Sequence, residues 1–307
     1  MPCYTFFTKR LSPLLVVIGC IQGQVGPLQA KVTVVVTTSI IGDTVKNIVQ
    51  DDTEVIVLMG AGVDPHTYKP TLKDIKHLLK ADIIFYNGLH LEGKMAEMLR
   101  RLSDRRRVYA VGSILTTTQK LTDPNFSMGV DPHIWFDIHL WQKIVTFIKE
   151  KLVEIDSLNA TFYKKNTQRY LTRLAHLHRE TWRKLQQVPP RQRVLITAHD
   201  AFGYFGRAYQ IEVRGLQGIS TVSECGLSDI TTLVRFIIER NIKAIFLETS
   251  VPEKPLKAVI EGCKKRGHCV KIGGYLYSDA LGKEGTLEGS YYGMIQRNTQ
   301  KIVNALK

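Results

Sequence analysis

Apolar residues in this chain follow two spacings, and the two alternate along it. Residues 31–38 (KVTVVVTT) form an apolar, β-branched run without polar alternation, the pattern of a strand covered on both faces. Residues 40–50 switch to helical spacing through Ile41, Val45, Ile48 and Val49. A strand is expected at 54–59, followed by a loop punctuated by glycine and proline at 60–70. Helix 71–80 then leads to strand 82–87, and a helix at 92–102 to strand 108–111. This βαβα order predicts a mainly parallel sheet with helices on both faces.

The same order restarts with strand 193–197, helix 202–209, a short strand 212–215, helix 228–240 and strand 244–248. Helix 255–266, strand 269–272 and a closing helix 289–306 complete it. Between the two series, residues 160–187 hold no Pro or Gly, and Pro189-Pro190 stops them. Tyr163, Tyr170, Leu174, Leu177 and Leu185 mark one apolar stripe there. Such a helix is roughly 40 Å long at about 1.5 Å per residue. The stripe is too irregular for strict heptads, so a rigid connecting helix is preferred to a coiled-coil arm. The expected organisation is a leader at 1–30, an α/β lobe at 31–158, a connecting helix at 159–188 and a second α/β lobe at 189–307.

Composition narrows the class. Apolar residues make up 44% and charged residues 23%, as in globular proteins, and the formal net charge is +14. The basic residues are spread out and interleaved with acids, and no nucleic-acid motif accompanies them. Only Arg100, Arg101, Arg105, Arg106 and Arg107 form a tight run, which reads as a helix end and a loop with a solvated surface. A basic surface also suits anionic lipid. Lys9 and Arg10 precede an apolar run too short to span a bilayer, and Leu28-Gln29-Ala30 follows, the pattern of an export signal cut after Ala30. A buried N-terminal strand gives the same apolar run but not the charge ahead of it. Val17-Ile18-Gly19-Cys20 loosely resembles a lipid-attachment motif, with Cys20 acylated. The expectation is therefore a periplasmic protein, with a lipid-anchored form as the alternative. Cys225, Cys263 and Cys269 remain after either cut; Cys263 and Cys269 are near enough to pair, or are reduced thiols.

The candidate chemistry lies in a repeated tripeptide. Asp-Pro-His occurs at 64–66 and again at 131–133, each after a glycine-containing approach. Proline stiffens the loop that carries the histidine, which suits His66 and His133 as metal ligands. His199 lies just past the strand at 193–197, and Asp279 follows the strand at 269–272 and two glycines. Ligands of open α/β sheets gather at these strand ends, although both residues could instead cap helices. Together, three imidazoles and one carboxylate would meet between the lobes. That set suits Zn²⁺, Mn²⁺ or Fe²⁺, and four protein ligands favour holding an ion over activating water on it. Asp64 and Asp131, which lead the tripeptides, and Glu248, which ends an apolar strand, are candidates for supporting the ligands from behind; Glu248 is alternatively a spare ligand. The other six histidines, His77, His90, His139, His176, His178 and His268, lack the combination of Asp-Pro lead and strand-end setting.

The segments Gly62-Val63-Asp64-Pro65-His66-Thr67-Tyr68, Tyr86-Asn87-Gly88-Leu89-His90-Leu91-Glu92 and Asp131-Pro132-His133-Ile134-Trp135-Phe136-Asp137 carry a family resemblance. So do Thr197-Ala198-His199-Asp200-Ala201-Phe202-Gly203-Tyr204-Phe205, Gly215-Leu216-Gln217-Gly218-Ile219-Ser220 and Tyr277-Ser278-Asp279-Ala280-Leu281-Gly282. As a set, they resemble the zinc/manganese/iron-binding substrate proteins of ABC importers, the TroA-like or lipoprotein receptor antigen I family. The resemblance implies two α/β lobes joined by one long helix, with an ion held by His66, His133, His199 and Asp279. It also implies a permease partner in the cytoplasmic membrane and modest tilting, not wide hinge closure. The third ligand position is a glutamate in some members and His199 here. The cysteines lie outside the family pattern. No enzymatic activity, no nucleic-acid partner and a monomer are expected. A metal-dependent hydrolase or chelatase is the rival enzymatic reading, disfavoured because no HExxH-type motif is present. A surface adhesin with a structural ion is the other.

Overall fold

The computed structural model describes residues 1–3, 31–122, 129–222 and 225–307 of the chain. The expected leader, its cut after Ala30 and the alternative at Cys20 fall outside the described residues. The apolar run that opens the body becomes β1 (Thr33–Thr38), with Val34, Val35 and Val36 fully buried although they point to alternating faces. It is followed by α1 (Ser39–Lys46), β2 (Glu54–Met59), α2 (Leu72–Lys80), β3 (Ile83–Tyr86), α3 (Ala96–Ser103) and β4 (Val108–Ala110). The four strands form one parallel sheet in the order β2-β1-β3-β4.

Sequence spacing places a helix from residue 92, but α3 begins only at Ala96. Leu89 and His90 take left-handed backbone geometry, with φ of 54° and 64°. Glu92 turns inward, where Oε1 accepts from Thr37 Oγ1 and from Asn87 N, each at 2.7 Å. Gly88 N donates to its Oε2 at 3.1 Å. A buried carboxylate satisfied in this way fixes a turn and delays the helix.

Helix α4 (Ile138–Ile155) has no counterpart in the spacing analysis. Asp137 caps it, accepting from His139 N and Leu140 N, and Ile138, Leu140, Trp141, Ile144, Val145, Ile148 and Leu152 are buried. It packs against α5 (Ala160–Leu185), whose stripe from Tyr163 to Leu185 is spent on α4 and on the last helix. The stripe is thus internal to this chain.

The second series gives β5 (Val194–His199), α6 (Gly203–Tyr209), β6 (Glu212–Gln217), α7 (Leu227–Glu239), β7 (Ala244–Glu248), α8 (Lys254–Lys265), β8 (Lys271–Leu276) and α9 (Tyr291–Leu306). Strands β5 and β6 pair in parallel, as do β7 and β8, and β5 lies beside β7. Two boundaries depart from expectation. His199 is the last residue of β5 and not beyond it. Gly273 and Gly274 lie inside β8, not after it. A Cβ on Gly273 would stand 2.7 Å from the Phe246 ring, and Gly274 has a φ of 140° at a register irregularity, so glycine extends the strand here instead of ending it.

Residues 31–307 form one compact unit. One core cluster runs through it, from Val34 and Phe85 through Trp141, Tyr170 and Phe205 to Tyr291 and Leu306. No helix among the described residues is long and apolar enough to cross a membrane. The thiols of Cys225, Cys263 and Cys269 are free, with Cys263 buried and Cys269 exposed.

Candidate metal centre

All four of the expected ligands converge. His66, His133, His199 and Asp279 each offer one donor atom, and those atoms lie within 4.8 Å of one another; no other such group occurs among the described residues. The set is buried, with His133 and His199 at 0% exposure, Asp279 at 1% and His66 at 2%. His66 follows β2, and His199 ends β5. Asp279 follows β8, and His133 comes from the segment leading into α4.

The two Asp-Pro-His tripeptides are built alike in the backbone. Gly62 and Gly129 turn the chain with φ of 71° and 72°. The aspartate two residues before each histidine then accepts from its amide, Asp64 Oδ1 from His66 N at 2.8 Å and Asp131 Oδ1 from His133 N at 2.9 Å. Beyond that they differ. Asp131 Oδ1 also sits 2.7 Å from His133 Nδ1. A carboxylate only accepts, so Nδ1 carries a proton and Nε2 is the nitrogen that faces the cluster. Asp64 instead uses Oδ2 to accept from Thr67 Oγ1 at 3.0 Å and from Thr221 Oγ1 at 2.6 Å. It ties the loop after β2 to the loop after β6.

Glu248 stands behind His199 as Asp131 stands behind His133, but it faces the ring as a nearby charge and not through an aligned hydrogen bond. Its Oε1 accepts from His199 N at 2.9 Å, and its Oε2 lies 2.7 Å from His199 Nδ1. Close strand approach makes this possible: a Cβ on Gly215 would stand 2.7 Å from the His199 carbonyl carbon, so β6 can pass the end of β5 only with glycine there. Asp279 is held from both sides. Trp135 Nε1 donates to Ser278 O at 2.9 Å, and Leu281 N donates to Ser39 Oγ at 3.0 Å. Trp135 also packs edge-on against the His133 ring, with centroids 5.3 Å apart, and its carbonyl accepts from Tyr291 Oη at 2.6 Å.

The donors themselves are crowded. His66 Nε2 and His133 Nε2 are 3.2 Å apart. Asp279 Oδ1 is 3.4 Å from His133 Nε2, and Oδ2 is 3.3 Å from His199 Nε2. Neither oxygen finds a hydrogen bond among the described residues. A buried carboxylate with no hydrogen bond is costly unless a positive charge compensates it.

Charge follows from this packing. Burial pulls His66 down to about 3, with Asp279 opposing and the other imidazoles adding to the fall. For His133 burial also pulls down, but Asp131 and Asp279 outweigh it and push the ring up to about 9. His199 is held well above the usual histidine range, because Glu248 and Asp279 likewise overcome burial. Burial would raise Asp279, yet His199 and His133 hold it well below the usual carboxylate range.

Spacing analysis of the sequence did not single out Asn87, Glu92, Trp135, Ser39 or Thr221. Asn87 Nδ2 donates to Pro132 O at 3.0 Å, so the turn fixed by Glu92 also steadies the second tripeptide. An acid and an amide in an otherwise apolar run were the available signal for Glu92 and Asn87. Thr221 had none.

Comparison with known proteins follows the same lines. The family model described as "ZnuA: Zinc-uptake complex component A periplasmic" matches residues 34–305. The manganese-binding lipoprotein MntA of Bacillus subtilis (strain 168) is 44% identical over 274 residues, which are 89% of this chain and 89% of MntA. The zinc-binding protein TroA of Treponema pallidum (strain Nichols) is 45% identical over 276 residues, 90% of this chain and 89% of TroA. The solved structure of periplasmic zinc-binding TroA from that organism superposes with a TM-score of 0.88 over 90% of this chain and 99% of TroA. Fe(III)-bound YtgA from Chlamydia trachomatis, 26% identical, gives 0.80 over 90% of this chain and 98% of YtgA.

Proposed function

We propose that this chain, which belongs to the ZnuA family of zinc-uptake components, captures one divalent transition-metal ion outside the cytoplasm and hands it to an ABC permease in the cytoplasmic membrane. The cargo is Zn²⁺, Mn²⁺ or Fe²⁺, and His66, His133, His199 and Asp279 bind it. One observation carries the reading. Donors about 2.0–2.1 Å from a tetrahedral ion stand about 3.3–3.4 Å apart. Three donor separations here are 3.2, 3.4 and 3.3 Å, the last two to different oxygens of Asp279, and one donor atom from each residue lies within 4.8 Å of the others.

On binding, the ion exchanges water for three imidazoles and a carboxylate. Asp131 and Glu248 keep the Nδ1 protons of His133 and His199, which orients both Nε2 lone pairs toward the ion. Four protein donors in a buried site leave no position built for an activated water, so a carrier is favoured over a hydrolase. Two lobes, 31–158 and 189–307, would each supply two donors across a connecting helix at 159–188. The ion is then the tie between them. Export with cleavage after Ala30, or acylation at Cys20 as in the relatives named lipoproteins, places the carrier beside its permease. It works as a monomer.

The test is ion content after stripping and exposure to equal Zn²⁺, Mn²⁺ and Fe²⁺ without oxygen. The expected result is one ion per chain, lost or much weakened in His199→Ala, with reversible exchange by chelator in a protein that stays folded. Retention unchanged in His199→Ala overturns the ligand set. Unfolding on ion removal would instead mark the ion as structural.

A further inference from the structure

The ligands sit at the carboxyl ends of strands, and the opposite edge of the four-stranded sheet carries a separate feature. Arg101, Arg105, Arg106 and Arg107 line a groove there together with Leu79, Leu102 and one acid, Asp82, whose Oδ2 accepts from Thr33 N at 2.8 Å. All four arginines are exposed, as is Leu79 at 49%. Arg100 and Arg101 share Glu97 and lie in the last turn of α3, where a helix dipole favours cations. Arg105, Arg106 and Arg107 lie beyond that turn. Arg106 reaches only a backbone carbonyl, Ala81 O at 3.3 Å, and none of the three makes an ion pair among the described residues. Three adjacent cations beside exposed Leu79 and half-buried Leu102 have neither a helix-end nor a salt-bridge explanation.

Topology adds a second observation. The chain enters the folded body at Lys31, just ahead of β1. Val34 of β1 pairs with Ile83 of β3, and Ile84 pairs with Val108 of β4. Lys31, Lys80 and Arg107 therefore lie toward the same end of this sheet, where β1, β3 and β4 begin.

We propose that this arginine edge docks on anionic phospholipid headgroups, holding the protein at the outer face of the cytoplasmic membrane. The proposal rests on the export reading above. Guanidinium forks pair with phosphate oxygens, while Leu79 and Leu102 meet the apolar boundary below them. Helix α5 starts near this edge, since Gln50 Nε2 donates to Asn159 Oδ1 and Asn166 Nδ2 to Ile48 O. It runs 26 residues away from it, about 39 Å. Screening over about 8 Å keeps the attachment local and reversible.

The experiment uses the compact unit 31–307 with vesicles of phosphatidylglycerol and phosphatidylcholine, against phosphatidylcholine alone, at low and high salt. Zn²⁺ binding is measured on the same samples. The expected result is salt-sensitive binding to the anionic vesicles only, at least about tenfold weaker in Arg105→Gln/Arg106→Gln/Arg107→Gln. A control removes charge from the far pocket lined by Arg191, Arg240, Lys243 and Lys307. Arg191→Gln/Arg240→Gln/Lys243→Gln should bind vesicles like the unaltered protein, and Zn²⁺ affinity should be unchanged throughout. Equal binding to both vesicles, an equal loss in the control, or full displacement by millimolar inorganic phosphate overturns the proposal. Zn²⁺ binding without vesicle binding sinks the lipid surface alone, whereas loss of both in the unaltered protein sinks the carrier reading.

Discussion

At the scale of single residues, the two Asp-Pro-His tripeptides look interchangeable in sequence and are not interchangeable in space. Asp131 holds an imidazole proton, whereas Asp64 holds hydroxyls and a backbone amide. Asp131→Asn keeps the amide bond but removes the charge facing Nδ1, so ion affinity should fall about 10–100-fold. Asp64→Asn should cost less than about threefold, because the threonine hydroxyls can turn to accept from the new amide. A competition titration with a chelator checks both, and equal losses would refute the distinction. The pH dependence has a definite sign. Without the ion, His133 keeps its proton up to about pH 9, and His199 is raised as well, whereas His66, near 3, is already free. The ion must displace the bound protons. Affinity should therefore rise at least about tenfold per pH unit from 7 toward 9, level off above, and weaken as pH falls. Composition alone places this midpoint near about 6.5, the value of an unperturbed imidazole. Titration at several pH values decides; a flat profile above pH 7 excludes protonated ligands. That His66, His133, His199 and Asp279 come together was legible in sequence, because proline and strand-end position are local signals. Their charge states were not, since those depend on Glu248 and Asp279 arriving from distant parts of the chain and on Asp131, unlike Asp64, turning an oxygen to its own histidine ring.

At the scale of elements, the loop after β6 acts on the ion site through one bond, Thr221 Oγ1 to Asp64 Oδ2 at 2.6 Å. Thr221→Val removes it without touching a donor. Ion release followed by stopped flow should speed up about 3–10-fold, with Thr221→Ser restoring the slow rate. An unchanged rate in the valine variant would show that the bond does not hold the loops together. Thr221 was invisible in sequence, because its partner lies 157 residues away. Other elements were hidden for different reasons. Helix α4 does carry a readable helical period, with Ile138, Trp141, Ile144, Val145, Ile148 and Leu152 on one buried face, but it belongs to neither series of alternating strands and helices. Helix α3 starts late because buried Glu92 is satisfied by backbone amides in a turn, and the glycines of β8 serve packing against Phe246 while looking like loop punctuation. The long helix α5 was legible, since an uninterrupted stripe bounded by two prolines depends on nothing distant.

At the scale of the whole molecule, one core cluster joins residues from both series of strands, including Val34, Leu174, Phe246 and Leu306. Heat should therefore melt residues 31–307 in a single transition by calorimetry. An ion at a hundred times its Kd should add about 2.7 kcal/mol, and a chelator should remove that gain. Two separated transitions would show that the core does not couple the halves. Leu174→Ala, fully buried on the long helix, should cost about 2–5 kcal/mol while leaving ion stoichiometry at one. The four donors also have a consequence in time. They are scattered from residue 66 to residue 279, so no stretch of nascent chain brings them together. On the export reading proposed above, a polypeptide threaded unfolded through a secretion channel would pass the cytoplasm without a competent ion trap. The trap first exists on the far side, where the ions that meet it are those of the outer compartment. Ion identity is then decided partly by where folding finishes, since intrinsic affinity for such donors ranks the metals the same way everywhere.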